Sequence, residues 1–371
     1  MTNTPASHRP APVVPLPEDA FASEGPVVTA HLITDGSQPG AARRTALRWK
    51  ALRTRLSTEG APEAALTAID PLVEVAHTAG AALFAVADAD GLRYAAHLPE
   101  PPETDDARVS PLPHLAPLLA ATQERLPHLV VVTDRLGAEL IAVLPDQHDQ
   151  HVEVDGEDLH VTRSAPGGWS QRRFQQRAEN RWESNAREVS EAVTALFDRT
   201  APRLVVLSGD VRAVQFLREH LPVRVADAVT EVQGDYGSPD EALRRARPLV
   251  AAAVVDDTAA LLAEHHRGSS EGLAVCGAED TLAALRAGQV HTVLLDPTRA
   301  ADRTGWFGPG GSQVGSTAIA LQATGVLDPR PAPLSDVVVR AAASTAAAVR
   351  VVPGGTPATA QDGVAALLRY R

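Results

Sequence analysis

The sequence predicts an α/β fold of the multidomain α+β kind, with three domains, the central and C-terminal ones each a mixed sheet with packed helices. Three observations predict it. A chain of 371 residues exceeds what one core of ordinary size fills. Short apolar runs of strand length alternate with stretches of helical period. The pattern also changes character twice, near residues 127 and 245. The expected divisions are a disordered leader (1–25), an N-terminal α+β domain (26–126), a central domain (127–244) and a C-terminal α/β domain (245–371).

The leader is rich in Pro and small residues and lacks apolar periodicity. Order is expected from Val27. VVTAHLIT (27–34) has strand character, and AARRTALRWKALRTRL (41–56) places Ala42, Leu47, Leu52 and Leu56 near one helical face. A second helix is expected over 62–78. AALFAVAD (81–88) and LRYAAHL (92–98) flank an Ala-Asp-Gly turn, a hairpin signal. The polar, Pro-rich stretch 99–113 is expected to be a loop, followed by a short helix before Pro127.

The central domain opens with LVVVTD (129–134) and AELIAVL (138–144), then a polar stretch leading to a strand at LHVTR (159–163). Next come a glycine loop, a long helix from Arg173 to Arg199, the buried-type strand RLVVLSG (203–209), a helix from Val211 and a short VRVA strand. A helix from Pro239 to His265 follows. Beyond Gly268 the alternation resumes with LAVCG, a helix at TLAALRAG and HTVLLD.

Composition bounds the function. Hydrophobic residues make up 44% of the chain and aromatic ones 4%, so the cores are aliphatic. No window approaches the roughly 18 apolar residues of a membrane span, and the N-terminus lacks the regions of a signal peptide; a cytoplasmic location is expected. Cys276 is the single cysteine, which excludes an internal disulfide, a cysteine zinc site and a CxxC pair. A net charge of −12 argues against a coat on DNA or RNA, because that needs a continuous basic surface. Any RNA contact must be local. Lys50 is the sole lysine, so arginine carries nearly all the positive charge.

The most unusual segment is RSAPGGWSQRRFQQRAENRWESNAREVSEAV (163–193). Between Val161 and Ser190, Arg163, Arg172, Arg173, Arg177, Arg181 and Arg187 stand against Glu179, Glu183 and Glu188, a local balance of about +3. Gly167 and Gly168 permit backbone angles that other residues avoid. Phe174, Ala178, Trp182, Ala186, Val189, Val193 and Leu196 follow helical spacing and are expected to pack on the sheet, with Arg173, Arg177 and Arg181 beside them. A glycine tip, an aromatic for stacking and arginines for phosphates are the parts of an RNA-probing loop. The bland alternative is a strand-to-helix turn whose arginines pair with Glu179 and Glu183.

Gly167-Gly168-Trp169-Ser170-Gln171 lies where the central domain of archaeal and eukaryotic class-1 release factors carries a Gly-Gly-Gln tip, and the segment resembles it. VCGAEDTLAALRAGQVHTVLLD (275–296) resembles the third-domain pattern of release factors and Pelota, and GVAALLRY (363–370) resembles their C-terminal ending. Among bacterial relatives, GGWSQRRFQQRAENRWE is most similar to the actinobacterial branch of Balon-type ribosome hibernation factors. That resemblance implies a protein in the ribosomal A site, bound to rRNA, with its central domain toward the peptidyl-transferase centre and elongation factor Tu as GTPase partner. It implies RNA contacts by Gly167, Gly168, Trp169, Ser170, Gln171, Arg172, Arg173 and Arg177. Two departures matter. Trp169 and Ser170 separate Gln171 from the glycines, and the N-terminal third has no Asn-Ile-Lys-Ser motif, so stop-codon decoding is unsupported. A peptidyl-tRNA hydrolase or rescue enzyme in which Gln171 orients water is the alternative; otherwise no catalytic residue is expected.

No cofactor or metal is expected. His148, Asp149 and His151 lie in a polar stretch where such residues are usually solvated. His265-His266 at a predicted helix end suits the C-terminal dipole. Asp134 and Asp210 follow predicted strands, where either catalytic carboxylates or caps are found. Gly354-Gly355 lacks the following Lys-Ser/Thr of a phosphate loop.

Overall fold

A computed structural model of the chain describes residues 18–21, 25–34, 36, 40–78, 80–98, 100–134, 136–144, 149–155, 168–232 and 238–371; for 18 and 168–181 the description covers the backbone alone. The architecture is mixed α/β with several sheets and packed helices. Two compact units share the chain, one built from segments 13–123 and 258–371, the other from 124–257. Among the described residues no helix is long and apolar enough to cross a membrane.

The first segment contains β1 (Val27–Ile33), α1 (Ala41–Thr58), α2 (Glu63–Val75), β2 (Ala82–Asp88), β3 (Gly91–Leu98), β4 (Asp106–Ser110) and α3 (Ala116–Gln123). The strands form an antiparallel sheet in the order β3-β2-β1-β4. Alternation assigns the faces. Val28, Ala30, Leu32, Leu83 and Ala85 meet α1 and α2, whereas Val27, Phe84 and Val86 join the core on the opposite side.

Two expectations change here. β4 lies inside the stretch read as a loop: Ala107 is its one buried residue, too little for a periodic signal, and pairing with β1 makes the strand. Helix α1 buries Ala41, Thr45, Trp49 and Leu56, while Leu47 is 59% exposed. Trp49 sets this rotation, because its large ring goes inward and its Nε1–H donates to Asp70 Oδ1 at 2.7 Å.

The second unit contains β5 (His128–Thr133), β6 (Gly137–Val143), β7 (Gln150–Asp155), α4 (Gly168–Thr200), β8 (Leu204–Gly209), α5 (Val211–His220), α6 (Val223–Ala226), β9 (Val229–Glu231) and the first part of α7 (Pro239–Glu271). Its sheet runs β7-β6-β5-β8-β9, with β8 parallel to β5 and β9. Both faces are covered. Leu129, Val131, Leu140, Val205 and Leu207 pack with Val189, Val193 and Leu196 of α4, and Val130, Val132, Ile141 and Val206 pack with Ala242 and Ala246 of α7. Covering both faces explains why β5 and β8 are nearly unbroken apolar runs. At the end of β8, Gly209 has φ +137°, and a Cβ there would lie 1.8 Å from the Thr133 carbonyl oxygen, so no larger residue fits.

The strand expected at 159–163 lies outside the described residues; β7 instead occupies 150–155, in the polar stretch. Its alternating half-exposed residues are those of an edge strand, placed by pairing with β6. VRVA is helical rather than extended. Pro222 precedes it, and Val225 and Ala226 donate their N–H groups to the Pro222 carbonyl. The extended residues follow as β9.

The last segment contains β10 (Ala274–Cys276), α8 (Ala278–Arg286), β11 (Val290–Leu295), α9 (Pro297–Ala301), β12 (Thr304–Phe307), β13 (Val314–Gly315), α10 (Ala318–Gln322), β14 (Arg330–Pro333), α11 (Leu334–Ser344), β15 (Ala348–Val351) and β16 (Val364–Leu368). One sheet runs β10-β16-β11-β15 and a smaller one β13-β12-β14. The C-terminal strand β16 is thus internal, antiparallel to both neighbours, with Val364, Ala365, Ala366 and Leu367 buried. This segment shares a core with the first one, where Phe84 and Leu115 join Leu285, Phe307 and Val338. His114 Nδ1 lies 2.7 Å from Asp336 Oδ1 in that core, and Gln123 exchanges two hydrogen bonds with the backbone of Val351.

Candidate functional site

Helix α4 carries the sequence motif, and its two ends differ. From Trp182 onward it lies on the sheet. Trp182 is half-buried and Ala186, Val189, Val193 and Leu196 are buried, as their spacing predicts, and Asn185 is buried beside them. The Asn185 side-chain amide donates to the Leu136 carbonyl at 3.4 Å, which ties this turn of the helix to the β5–β6 connection. Ser190 Oγ donates to the His220 carbonyl at 2.9 Å and ties the helix to α5. Before Trp182 the helix has further turns back to Gly168, an axial length of about 20 Å at 1.5 Å per residue.

The predicted site residues fall at that end. Gly167 lies outside the described residues. Gly168 is the first helical residue, and Trp169, Ser170, Gln171, Arg172, Arg173 and Arg177 occupy the first three turns, with side chains outside the description. The expected glycine loop reaching to Arg173 is therefore helix from Gly168 onward. SQRRFQQRAENRWE is rich in good helix formers, which favour propagation toward the N-terminus. At a helix start a glycine costs little, because its penalty is backbone entropy and falls on the end of the helix rather than its interior. The packing expected of Phe174 and Ala178 also lies outside the description.

Chemically, a helix start leaves unbonded N–H groups and a partial positive charge. The arginines at 172, 173 and 177 add to that field in sequence. Positions 169, 173 and 177 lie on successive turns, near one another on the helical surface.

The other candidates are structural. Asp134 Oδ1 accepts from Leu136 N and Gly137 N at 2.7 and 2.8 Å and shapes the β5–β6 turn. Asp210 caps α5, accepting from Arg212 N and Ala213 N at 3.0 and 3.2 Å. Between them is a narrow cleft lined by Thr133, Trp182, Arg212 and Phe216. Asp149 pairs with Arg125 at 3.0 Å, His151 is exposed on β7, and His148 lies outside the described residues. Among the described residues no group of three or more His, Cys, Asp or Glu is placed to hold a metal.

His265 is not at a helix end. Helix α7 continues to Glu271, and His265 is buried with Nε2 3.2 Å from the Val275 carbonyl oxygen and 3.7 Å from Cys276 Sγ. Burial and then the Asp280 carboxylate push the Cys276 thiol above its ordinary range. Gly355 donates its N–H to Asp296 Oδ2 at 3.3 Å in a turn.

Residues 127–271 match the family described as bacterial archaeo-eukaryotic release factor family 2. The match begins one residue before β5 and ends with α7, so it contains the whole five-stranded sheet and α4. This part of the chain is release-factor-like. Across nearly its whole length the chain is 27% identical to uncharacterized protein Rv2629 of Mycobacterium tuberculosis (strain ATCC 25618 / H37Rv), with 94% of each chain covered, and it matches uncharacterized protein MT2704 of strain CDC 1551 / Oshkosh to the same extent. Among solved structures, the archaeal translation termination factor aRF1 aligns at 18% identity over 95% of both chains with a TM-score of 0.24. Pelota of Archaeoglobus fulgidus aligns at 13% over 78% of this chain and 80% of its own, TM-score 0.32, and Dom34 of S. cerevisiae at 13% over the same shares, TM-score 0.37. At TM-scores this low, these likenesses leave the fold description where the topology puts it.

Proposed function

We propose that the protein is a ribosome hibernation factor that occupies the A site, carries the N-terminal end of α4 toward the peptidyl-transferase centre and blocks translation under stress. The observation that carries this reading is the match over 127–271 to a release-factor family, which contains the long helix α4 starting in Gly-Trp-Ser-Gln-Arg-Arg. A long helix with arginines in its second and third turns suits a crowded polyanionic site, because its backbone amides and arginines both favour phosphate. Trp169 would stack on a base, Gln171 would hydrogen-bond, and Arg172, Arg173 and Arg177 would meet phosphates. The N-terminal (26–126), central (127–244) and C-terminal (245–371) divisions would each hold one region of the site, the C-terminal one recruiting elongation factor Tu in the cytoplasm.

Cryo-EM of the protein with ribosomes from the same kind of cell, with and without elongation factor Tu, tests this. Density for residues 167–177 beside intact peptidyl-tRNA supports hibernation. Loss of the nascent chain that depends on Gln171 makes the protein a peptidyl-tRNA hydrolase instead, and absence from the A site ends both readings.

A further inference from the structure

Helix α1 is cationic throughout, with Arg43, Arg44, Arg48, Lys50, Arg53 and Arg55 and no acidic residue in Ala41–Thr58. The chain as a whole carries −12. The structure sorts these cations by face. Three are engaged at the flanks of the buried side: Arg48 Nε lies 2.8 Å from Asp105, Arg53 Nη2 lies 2.5 Å from Glu63, and Arg55 Nη2 donates to the Ala107 carbonyl at 2.5 Å. The outward side differs. Arg43, Leu47, Lys50 and Thr54 recur at helical spacing on the face opposite Thr45, Trp49 and Leu56, and all four are exposed, as is Arg44 beside them. Arg43 and Lys50 have no ion-pair partner among the described residues. They stand about 10 Å apart along the axis.

We infer that the outward face of α1 is a second contact surface for RNA, taking the phosphate backbone of a structured strand between Arg43, Arg44 and Lys50. Charge complementarity selects the occupant. In a protein with excess carboxylates, a helix without one keeps its field for a polyanion. Ala46 and Ala51 keep the face low enough for close approach, and the exposed Leu47 offers an apolar contact to a ribose. The inference rests on the ribosome reading for its RNA and is separable from it, because α1 lies far in sequence from α4.

Lys50 provides the test, since the chain has no other lysine. Acylation of the full-length protein with an amine-reactive ester, followed by peptide mass spectrometry, measures Lys50 accessibility alone, in the presence of purified 70S ribosomes, a free RNA duplex, or phosphatidylglycerol vesicles. Protection of Lys50 by ribosomes or by the duplex, with Lys50→Arg binding as wild type, is the expected result. In the Arg43→Gln/Arg44→Gln/Lys50→Gln variant the log–log salt dependence of binding should be shallower by about 2 to 3, and affinity about tenfold lower. Ribosome binding that leaves Lys50 acylation and the salt slope unchanged overturns the α1 surface while sparing the ribosome reading. Protection by vesicles and by neither RNA assigns the face to membrane instead. Protection by the duplex without any ribosome binding ends the ribosome reading and keeps the surface.

Discussion

Helices α1 and α4 are both arginine-rich, yet they use the chain differently. Helix α1 is anchored along its whole length, from Ala41 to Leu56, and its cations divide between paired flanks and an open face. Helix α4 packs on its sheet through Ala186, Val189, Val193 and Leu196, and its basic residues Arg172, Arg173 and Arg177 lie several turns nearer its N-terminus. A cation count in sequence does not separate these cases. What separates them is where the cations stand relative to the buried stripe: in α1 they flank and oppose it along the helix, whereas in α4 Arg172, Arg173 and Arg177 are gathered near its start.

Breaking the anchored half of α4 should have the largest effect. Val193 is fully buried between β5, β8 and the helix, so Val193→Asp places an unpaired carboxylate in an apolar core and should cost about 4 kcal/mol or more, enough to unfold the unit 124–257. Loss of the cooperative thermal transition is the expected readout; an unchanged midpoint would show that α4 is not the cover of this sheet. The corresponding truncation in α1, Leu56→Ala, should cost about 3 kcal/mol by leaving a cavity above β1 and β2, measured by urea denaturation.

The N-terminal end of α4 should behave in the opposite way. On the ribosome reading, Arg172→Glu, Arg173→Glu and Arg177→Glu together should leave folding stability within about 0.5 kcal/mol, but reduce ribosome co-sedimentation about a hundredfold at moderate salt. A large stability loss with unchanged ribosome binding would place these residues in a core. Gln171→Ala should change neither quantity; abolition of peptide release by this variant is the outcome that would promote the hydrolase reading.

A pH experiment tests the sheet beneath α4. His128 on β5 is buried, with Nδ1 2.8 Å from the Leu126 carbonyl oxygen. Burial holds its pKa below the ordinary value of 6.5, against the opposing pull of that carbonyl. The unfolded chain therefore takes up a proton near 6.5 that the folded chain refuses, so stability falls as pH drops below 6.5 and is regained as pH rises through it. The loss from His128 should approach about 1.4 kcal/mol per pH unit below that point. Denaturant midpoints at about pH 5.5 and about pH 7.5 should differ less for His128→Gln than for wild type, and equal differences would remove His128 from the account. His31 on β1 is lowered in the same direction, again by burial and against Asp106 and Asp105, so the variant should retain part of the slope.

Much of the fold was legible because the relevant signals are local. Runs such as LVVVTD, LVVLSG and HTVLLD announce β5, β8 and β11, since strands buried on both faces need continuous apolar residues. The spacing of Ala186, Val189, Val193 and Leu196 announced the packed face of α4. The candidate site was visible as composition, glycines followed by an aromatic and arginines, but its conformation was not. The start of α4 at Gly168 depends on helix propagation through a run of good helix formers, against a glycine that the sequence alone marks as a loop.

What the sequence by itself determined is the α/β alternation, the aliphatic cores and the local positive charge of 163–190 in an acidic chain. The tertiary structure decided the rest. Strands β4, β7 and β9 exist because a neighbouring strand offers backbone partners to segments with little apolar content of their own. Trp49 rather than Leu47 faces inward because Asp70 receives its indole N–H. His265 lies inside a helix, beside Cys276, because α7 continues past the expected stop. The first and last segments of the chain share one core, closed by His114 and Asp336. Each of these depends on a partner far away in sequence, whereas propensity and periodicity report only on near neighbours.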